Sequence, residues 1–316
     1  MTPAYGQNVS VLERCPASII STVPMKYFVT SDIHSFCDEL LVALDEARFD
    51  VDNPEHVLVI AGDLFDRGPK TVELFNYLMS IPKGRLVLIE GNHELLFRSL
   101  VDRPIPNRYD FTNGTVQTIC HIAGVSLDGI KKWYVNSFFP SIGQSEEENL
   151  WDYARRKAKR TKIGRFVLKE SNFHKYFEIG DYIIVHSFIP DVPPEVDWRK
   201  DGSVSWEDAE WGCPFKQYER GKFKREMSLG KTLICGHWHA AEFHSRYEGA
   251  PEMEDFTPYR GSHLIAIDGC TAYTKMCNVI VIDDSDWSIS YKGQPLQRKE
   301  DSQEAYYLAV GFGWQE

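Results

Sequence analysis

Three short apolar runs, each followed by a segment with helical spacing, are the feature that most constrains the fold. The runs are KYFVTS (26–31), HVLVIAG (56–62) and RLVLIEG (85–91). Short runs rich in Val, Ile and Leu are typical of strands that are buried on both faces. The segments that follow them place apolar residues at helical spacing, in FCDELLVALDEARF, TVELFNYLMSI and HELLFRSLV. This alternation predicts right-handed crossovers and a sheet that begins parallel.

The pattern loosens over residues 102–178, which are polar and charged and include the basic cluster ARRKAKRTK (154–162). We interpret this stretch as a mostly helical inserted cap and the cluster as a solvated helix face, with a polyanionic substrate as the alternative. Strand-like runs then return, the last of them in part antiparallel: YIIVHS, TLICG, HLIAID, NVIVIDD and WSISYKG. The sequence therefore predicts one α/β domain over 25–295, an irregular lead-in at 1–24 and a C-terminal tail at 296–316.

The composition of the chain limits the classes of partner that it is expected to bind. A formal net charge of −11 argues against a dedicated nucleic-acid surface, which would carry a basic excess. No stretch reaches the apolar length that spans a bilayer, so no membrane partner is expected. The seven cysteines are scattered and form no CxxC. This pattern favours reduced thiols and a cytoplasmic location over a disulfide framework.

Polar side chains follow five of the strand-like runs in succession. They are, in chain order, Asp32 and His34, then Asp63, Asp66 and Arg67, then Asn92 and His93, then His186, and last His237 and His239. Ligands of open α/β sheets bind at the C-terminal edge of the strands, so these groups are predicted to converge. Each group alone has an ordinary structural explanation, such as a helix cap, a salt bridge in a turn or a buried core histidine. Their succession at five strand ends argues for a common site.

Two divalent metal ions would account for this donor set. Mixed carboxylate, amide and imidazole donors suit Mn, Fe or Zn better than Ca or Mg, which prefer oxygen. One hypothesis gives Asp32, His34 and His239 to one ion, with Asp63 bridging to a second ion. Under that hypothesis Asn92, His186 and His237 hold the second ion. Two ions about 3.5–4 Å apart clamp the attacking and leaving oxygens of a phosphoryl displacement.

In their order, DIH, GDLFDRG, GNHE, a strand-ending VH and GHWH resemble the motifs of the calcineurin-like metallophosphoesterases. GDLFDRG followed by GNHE is similar to the phosphoprotein phosphatase branch, which includes bacterial and phage serine/threonine phosphatases and symmetrical diadenosine tetraphosphatases. The resemblance implies a four-layer α/β/β/α sandwich of two mixed sheets with an inserted helical cap. It also implies two metal ions, with Mn²⁺ first and Fe, Zn or Ni as alternatives.

Carried over by motif, the resemblance implies roles for individual residues. The implied metal ligands are Asp32, His34, Asp63, Asn92, His186 and His237, with His239 as a further ligand beside Asp32. Arg67 is implied to hold the phosphate, His93 to protonate the leaving group and Asp66 to orient His93. The second phosphate-binding arginine has no clear motif here, and Arg199 is the first candidate for substrate binding.

The function implied is hydrolysis of phosphate monoesters by attack of a metal-bound hydroxide. A serine/threonine protein phosphatase is the first expectation, and a diadenosine tetraphosphatase-like nucleotide phosphohydrolase is the alternative. The partner is then a phosphorylated substrate, either a phosphoprotein or a nucleotide. A non-catalytic interaction module of the same fold is the alternative of a different class. That reading predicts a missing ligand or general acid, whereas His93, Asp66 and Arg67 are all present.

Overall fold

The computed structural model describes residues 23–138, 149–193 and 195–297. Its strands are β1 (Lys26–Thr30), β2 (His56–Ala61), β3 (Leu86–Ile89), β4 (Tyr176–Ile179), β5 (Tyr182–Val185), β6 (Thr232–His239), β7 (Tyr259–Arg260), β8 (Leu264–Asp268), β9 (Ile280–Asp283), β10 (Ser288–Tyr291) and β11 (Gln294–Pro295). Most of the predicted lead-in and tail, residues 1–22 and 298–316, lies outside the described residues.

The helices in the N-terminal half are α1 (Cys37–Glu46), α2 (Thr71–Ser80), α3 (Asn92–Asp102), α4 (Arg108–Thr112), α5 (Thr115–Ala123), α6 (Leu127–Phe138), α7 (Leu150–Arg160) and α8 (Lys162–Leu168). Those in the C-terminal half are α9 (Glu207–Trp211), α10 (Pro214–Glu219), α11 (Lys224–Ser228), α12 (Ala240–Phe243) and α13 (Thr271–Thr274). Among the described residues, none of these helices combines the length and apolarity needed to cross a membrane.

The strands form two mixed sheets. In the first, the order is β11-β10-β9-β1-β2-β3, and β1, β2 and β3 run parallel as the sequence predicts. In the second, the order is β4-β5-β6-β8-β7, with β5, β6 and β8 parallel. The antiparallel pairing predicted for the late strands is found between β1 and β9 and between β9 and β10. The short strands β4, β7 and β11 have too little pattern to be predicted from sequence.

Alternation along each strand explains the layers. In β1 and β2, Phe28, Leu58 and Ile60 face helices α1–α3, whereas Val29 and Val59 face the second sheet. The outer face of the second sheet packs on α10, α12 and their connecting loops through Ile183, Leu233 and Leu264, among others. Both faces of each sheet are therefore covered, which requires the continuous apolar runs seen in the sequence. The predicted four-layer α/β/β/α sandwich is confirmed.

The predicted cap region is built into the helical layer of the first sheet. Buried residues of α5, α7 and α8 share one core with α1–α3 and the first sheet, namely Val116, Ile119, Cys120, Ala123, Trp151, Ala154, Ala158, Ile163 and Val167. The basic cluster lies mainly on α7. Arg156 pairs there with Asp152 at 2.9 Å, and Lys159 pairs with Asp102. Ion pairs of this kind are typical of a helix face that is exposed to solvent.

The two sheets adjoin along one edge, where residues after β3 meet the residues before β4. The amide of His174 donates to the carbonyl of Leu88 at 2.8 Å, and the amide of Glu90 donates to the carbonyl of His174 at 2.8 Å. This junction brings the C-terminal ends of β1, β2 and β3 beside those of β5, β6 and β8. All described cysteines are free thiols, namely Cys37, Cys120, Cys213, Cys235, Cys270 and Cys277. Cys15 lies outside the described residues.

Candidate metal centre and active site

A cavity of about 130 Å³ lies where the strand ends of the two sheets meet. It is lined by Asp32, Asp63, Arg67, Asn92, His93, Asn113, Trp211, His237, His239 and Asp268. His34 and His186 lie directly beneath these residues, and their side chains are 3% and 1% exposed. The structure thus brings together every metal-ligand candidate of the sequence analysis, with His93 and Arg67.

Asp63 lies at the centre of this cluster. Its Oδ1 is 3.5 Å from His186 Nε2, and its Oδ2 is 3.7 Å from His34 Nε2 and 3.8 Å from His93 Nε2. Two sets of donors have all their ligand atoms within 4.8 Å of one another, and Asp63 belongs to both. The sets are His34, Asp63 and His93, and Asp63, His186 and His237. Asp63 therefore occupies the position that a bridging ligand requires.

Three imidazoles use one ring nitrogen outside the cluster and direct the other toward it. His34 Nδ1 donates to the carbonyl of Phe65 at 3.0 Å, and His186 Nδ1 donates to the carbonyl of Ala61 at 2.9 Å. His93 Nδ1 donates to Asp66 Oδ2 at 2.7 Å. The three Nδ1 bonds fix the tautomer and leave each Nε2 unprotonated.

The electrostatics of the cluster fit divalent cations. Burial lowers the pKa of His34, His93 and His186, and it lowers the pKa of His237 to about 2, so these rings are neutral and can act as ligands. Burial, together with Asp32 and Glu94, raises the pKa of Asp63 well above its ordinary value. Several buried carboxylates crowded together in this way are stabilised by a nearby positive charge.

A contact between His186 and Asn92 also favours a bound cation. His186 Nε2 lies 2.8 Å from Asn92 Oδ1, although the proton of that ring is already donated at Nδ1. Two acceptors that face one another at this distance repel unless a cation lies close to both. Carboxylate, amide and imidazole donors together match the ligand preferences of Mn, Fe and Zn.

Beside these donors, Asp66, His93 and Arg67 form a connected relay. Asp66 Oδ2 accepts from His93 Nδ1 at 2.7 Å. The guanidinium of Arg67 lies between two imidazoles, with Nη1 2.6 Å from His34 Nε2 and Nη2 3.2 Å from His93 Nε2. The predicted proximity of Asp66 and His93 is therefore present, and Arg67 lies within reach of the same cavity.

The helical insertion completes this relay, which the sequence analysis did not foresee. Thr115 Oγ1 donates to Asp66 Oδ2 and Thr118 Oγ1 donates to Asp66 Oδ1, each at 2.6 Å. Both threonines lie on α5 and are buried. A three-residue spacing of threonines on one helix face is the only sequence signal, and it is too common to identify a site.

Glu94 also has a larger role than the sequence suggested. Its carboxylate accepts from the amides of Asp63 at 3.1 Å, Leu64 at 3.0 Å and Gly91 at 2.9 Å. It thereby ties the loop after β2 to the start of α3. The first-turn position of Glu94 predicts a favourable interaction with the helix dipole, but it does not reveal the partner loop 30 residues away.

The backbone of the site is strained. Left-handed φ values occur at Asp32 (51°), His34 (51°), Asp63 (56°), Asp66 (76°), Arg67 (60°) and His237 (65°). Non-glycine residues in this region cost about 1–3 kcal/mol each and concentrate at functional sites. Gly91 shows how tight the packing is, because a Cβ there would lie 2.3 Å from Asp63 Oδ1. The contacts of the side chains in the cluster therefore hold the backbone in left-handed conformations that these residues otherwise disfavour.

Arg199 is not brought to the cavity. Its Nε donates to Glu178 at 2.8 Å, its Nη2 donates to Glu226 at 2.8 Å, and its guanidinium lies 4.1 Å from the centre of the Trp198 ring. These contacts occupy the guanidinium N–H groups that Arg199 would need to bind a phosphate. Ser187, the residue after His186, also has a structural contact. Its Oγ donates to the carbonyl of Gly212 at 2.6 Å.

A second cavity of about 490 Å³ adjoins the first, and Trp211 lines both. Its wall is largely apolar and is formed by Leu95, Leu96, Val204, Trp206 and Trp211, with Ser99, Lys175, Glu207 and Glu210 at the edge. The indole of Trp211 is 45% exposed, which is unusual for this side chain. The cavity of the donor cluster therefore adjoins a larger, mainly apolar cavity.

Comparisons with known proteins give a family model and several relatives that this chain resembles. A family model described as calcineurin-like phosphoesterase matches residues 25–241. The asymmetrical bis(5'-nucleosyl)-tetraphosphatase PrpE of Bacillus subtilis (strain 168) is 37% identical over 89 residues, 26% of this chain and 36% of that protein. A symmetrical bis(5'-nucleosyl)-tetraphosphatase of Aliivibrio salmonicida (strain LFI1238) is 41% identical over 69 residues, 22% of this chain and 24% of that protein.

These matches cover only about a quarter to a third of each relative's length. Among solved structures, the cold-active protein-tyrosine phosphatase of a psychrophile Shewanella species aligns with a TM-score of 0.48 and 16% identity. The alignment covers 84% of this chain and 80% of that one.

Proposed function

Because the chain belongs to the calcineurin-like phosphoesterase family, we propose that it hydrolyses phosphate monoesters with the help of two divalent metal ions. The observation that carries the proposal is the Asp66–His93–Arg67 relay beside the donor cluster centred on Asp63. Placed beside metal donors, this relay supplies an anion-binding group and a proton-carrying group.

The residues proposed to hold the ions are those of the cluster. Asp32, His34 and His239 serve one position, Asn92, His186 and His237 serve the other, and Asp63 belongs to both. Asp268 is buried and lines the same cavity, and burial together with Asp32 raises the pKa of its carboxyl well above the ordinary value. Bound divalent ions would supply Lewis-acid activation of the phosphoryl group and of water. Mn²⁺ is the first candidate, with Fe, Zn or Ni as alternatives.

Arg67 and His93 act together in this proposal. In the described conformation His93 Nε2 faces Arg67 Nη2 at 3.2 Å and accepts from it, so that nitrogen holds no proton to donate. When the guanidinium of Arg67 donates instead to phosphate oxygens, its hydrogen bond to His93 Nε2 is broken. The phosphate charge then raises the pKa of the ring, and Asp66 stabilises the imidazolium through Nδ1. His93 Nε2 can then take up a proton from water and pass it to the leaving oxygen.

The pH dependence of the reaction tests the role of Asp66. We expect kcat/KM to fall as the pH drops below about 6, because burial raises the pKa of Asp66 to about 6 and its protonation removes the acceptor for His93 Nδ1. The Thr115 and Thr118 hydroxyls lower that pKa. Thr118→Val is therefore expected to move the acid limb upward by about one pH unit.

Thr112→Val is the matched control, since the Thr112 hydroxyl is exposed and donates to the carbonyl of Tyr109. Its pH–rate profile is expected to overlay that of the wild type. Coincident acid limbs in Thr118→Val and wild type would show that Asp66 does not set the acid limb.

For the substrate, we propose a phosphoprotein carrying phosphoserine or phosphothreonine. The apolar surface formed by Leu95, Leu96, Trp206 and Trp211 beside the site supports an organic group of some size. A dinucleoside polyphosphate is the second candidate, because the curated relatives named above are bis(5'-nucleosyl)-tetraphosphatases. Free thiols throughout the described residues support a reducing, cytoplasmic setting.

The test begins with metal-stripped protein and p-nitrophenyl phosphate, with Mn²⁺, Zn²⁺, Fe²⁺, Ni²⁺ or Mg²⁺ added back. A phosphoserine peptide, a dinucleoside polyphosphate and a 3'-phosphorylated oligonucleotide run beside it. Metal-dependent turnover with the highest kcat/KM on the phosphopeptide is the expected result. Preference for the dinucleoside polyphosphate selects the second candidate. Two bound ions without turnover on any substrate would overturn the proposal in favour of a non-catalytic role.

A further inference from the structure

The turn between α4 and α5 in the helical insertion forms part of the wall of the candidate site. Asn113, the C-cap residue of α4, lines the cavity of the donor cluster together with Arg67 and His93. Among the described residues that line this cavity, Asn113 and Trp211 are the two that carry an N–H donor and have no role in the proposed reaction. Trp211 also lines the second cavity, whereas Asn113 does not.

Close contacts hold this turn beside the loop that carries Arg67. Gly114, the residue after Asn113, approaches that loop so closely that a Cβ on it would lie 2.3 Å from the amide nitrogen of Arg67. Gln117 Nε2 donates to the carbonyl of Arg67 at 3.1 Å. The amide of Asn113 donates to the carbonyl of Tyr109 at 2.8 Å. The position of Asn113 relative to Arg67 is therefore fixed by the packing of the backbone.

The carboxamide of Asn113 has no structural role in the fold. It makes no hydrogen bond to any residue that the structure describes. Two other asparagines at helix ends of the insertion do bond within the fold, since the side chain of Asn107 accepts from the amide of Tyr109 at 2.8 Å and that of Asn149 from the amide of Asp152 at 3.0 Å. The φ of Asn113 is −74°, so its backbone conformation does not favour asparagine over other residues.

A phosphate in this cavity needs a donor besides Arg67. Arg67 carries the one guanidinium or ammonium group among the described residues that line the cavity, which also include the carboxyl groups of Asp32, Asp63 and Asp268. A phosphate monoester has three terminal oxygens, and one guanidinium in a bidentate contact holds two of them. Arg199 cannot supply the further contact, because carboxylates hold it outside the cavity.

We infer that Asn113 is a substrate-binding residue whose Nδ2 group donates to a terminal phosphate oxygen beside those held by Arg67. The inference rests on the proposed function, because it concerns the phosphate group of that reaction. The amide stabilises the oxygen without adding a charge or supplying a proton. The terminal oxygens are negatively charged in both the ground state and the transition state, so the contact stabilises both. Asn113 therefore acts mainly on KM.

The test measures the binding of inorganic phosphate to the Mn²⁺-loaded protein by calorimetry, and KM and kcat for p-nitrophenyl phosphate. In Asn113→Ala we expect the phosphate affinity to fall by about 10–100-fold, as for loss of a hydrogen bond to a charged group, and KM to rise by a similar factor. Mn²⁺ content and kcat are expected to stay close to the wild-type values, because Asn113 is assigned to neither ion and to no proton transfer.

Asn113→Asp distinguishes this contact from a structural role. The carboxylate keeps the shape of the side chain but replaces the donor by an acceptor and adds a charge that repels phosphate. We therefore expect phosphate affinity to fall further in Asn113→Asp than in Asn113→Ala. A structural role predicts the reverse order, because aspartate preserves the packing better than alanine. The reverse order, or wild-type phosphate affinity in either variant, overturns the inference, and Asn113→Asp decides alone if Asn113→Ala does not fold.

Asn76→Ala is the matched control, since Asn76 is exposed on α2 and does not line the cavity. Its phosphate affinity and KM are expected to equal those of the wild type.

The outcomes also separate this inference from the proposed function. Phosphate binding with no turnover on any substrate overturns the function, while the phosphate affinities still decide the role of Asn113. Turnover with equal phosphate affinities in wild type and Asn113→Ala overturns the inference and leaves the function standing. A Mn²⁺-loaded wild-type protein that binds neither phosphate nor any substrate overturns both.

Discussion

Asp63→Asn is expected to abolish binding of both metal ions and to lower turnover by at least about 10³-fold. The carboxylate belongs to both donor groups, so its loss removes a ligand and a negative charge from each. Removing a single electrostatic stabiliser from an active site typically costs about 10²–10³ in rate, and Asp63 serves two ions. Metal content after dialysis against Mn²⁺ and hydrolysis of p-nitrophenyl phosphate measure the two effects.

The fold is expected to survive this change. The asparagine oxygen can still accept from the amide of His93, which Asp63 Oδ1 accepts at 3.0 Å. Burial raises the pKa of Asp63, so the ionised carboxylate destabilises the metal-free folded state at neutral pH. A neutral amide removes that cost. The melting temperature of the metal-free variant should therefore equal or exceed that of the metal-free wild type.

Asp283→Asn is the matched control for this experiment. Asp283 pairs with Lys26 at 3.4 Å and lies opposite it in the β1–β9 register, at the end of β1 far from Asp32. Its metal content and turnover are expected to match the wild type. Two ions retained by Asp63→Asn at wild-type affinity would contradict the bridging position of Asp63.

His93→Ala is expected to lower turnover by about 10²–10⁴-fold while both ions remain bound, because the ring supplies proton transfer and is assigned to neither ion. The loss should be larger for a phosphoserine peptide than for p-nitrophenyl phosphate. The alkoxide of serine is a poor leaving group that needs a proton, whereas p-nitrophenolate leaves readily without one. Metal content, kcat and KM on both substrates separate this effect from loss of metal.

A double-mutant cycle with Asp66→Asn tests whether the two residues act as a unit. If Asp66 works through His93, the double variant should be no slower than His93→Ala alone. His121→Ala on the exposed face of α5 is the control and should leave turnover unchanged. Equal losses on both substrates in His93→Ala would argue against proton donation to the leaving group.

Much of the candidate site could be predicted because the donors follow a strand or lie at its C-terminal end. Asp32, Asp63 and Asn92 directly follow apolar runs, and the order of these runs predicts a parallel sheet whose ends meet at one edge. The late strands that carry His186 and His237 were recognisable from the same kind of run. The resemblance of the ordered motifs to a known family then implied roles that no periodicity could supply.

The partners of these residues could not be predicted. Thr115 and Thr118 reach Asp66 across 49 and 52 residues, and Lys175 reaches Glu210 across 35. Nothing in the local pattern around any of these residues marks its partner. Arg199 illustrates the converse. It was the first candidate for a second phosphate-binding arginine although no clear motif marks it, whereas its guanidinium is occupied by Glu178 and Glu226.

By itself, the sequence determined the strands, their parallel start and the edge at which the donors gather. These follow from short-range alternation and from the handedness of crossovers, both of which are properties of neighbouring residues. Only the tertiary structure decided which helix supports Asp66 and that the helical insertion shares the core of the first sheet. Those contacts depend on how separate elements pack against one another, and many sequences with the same local pattern would pack differently.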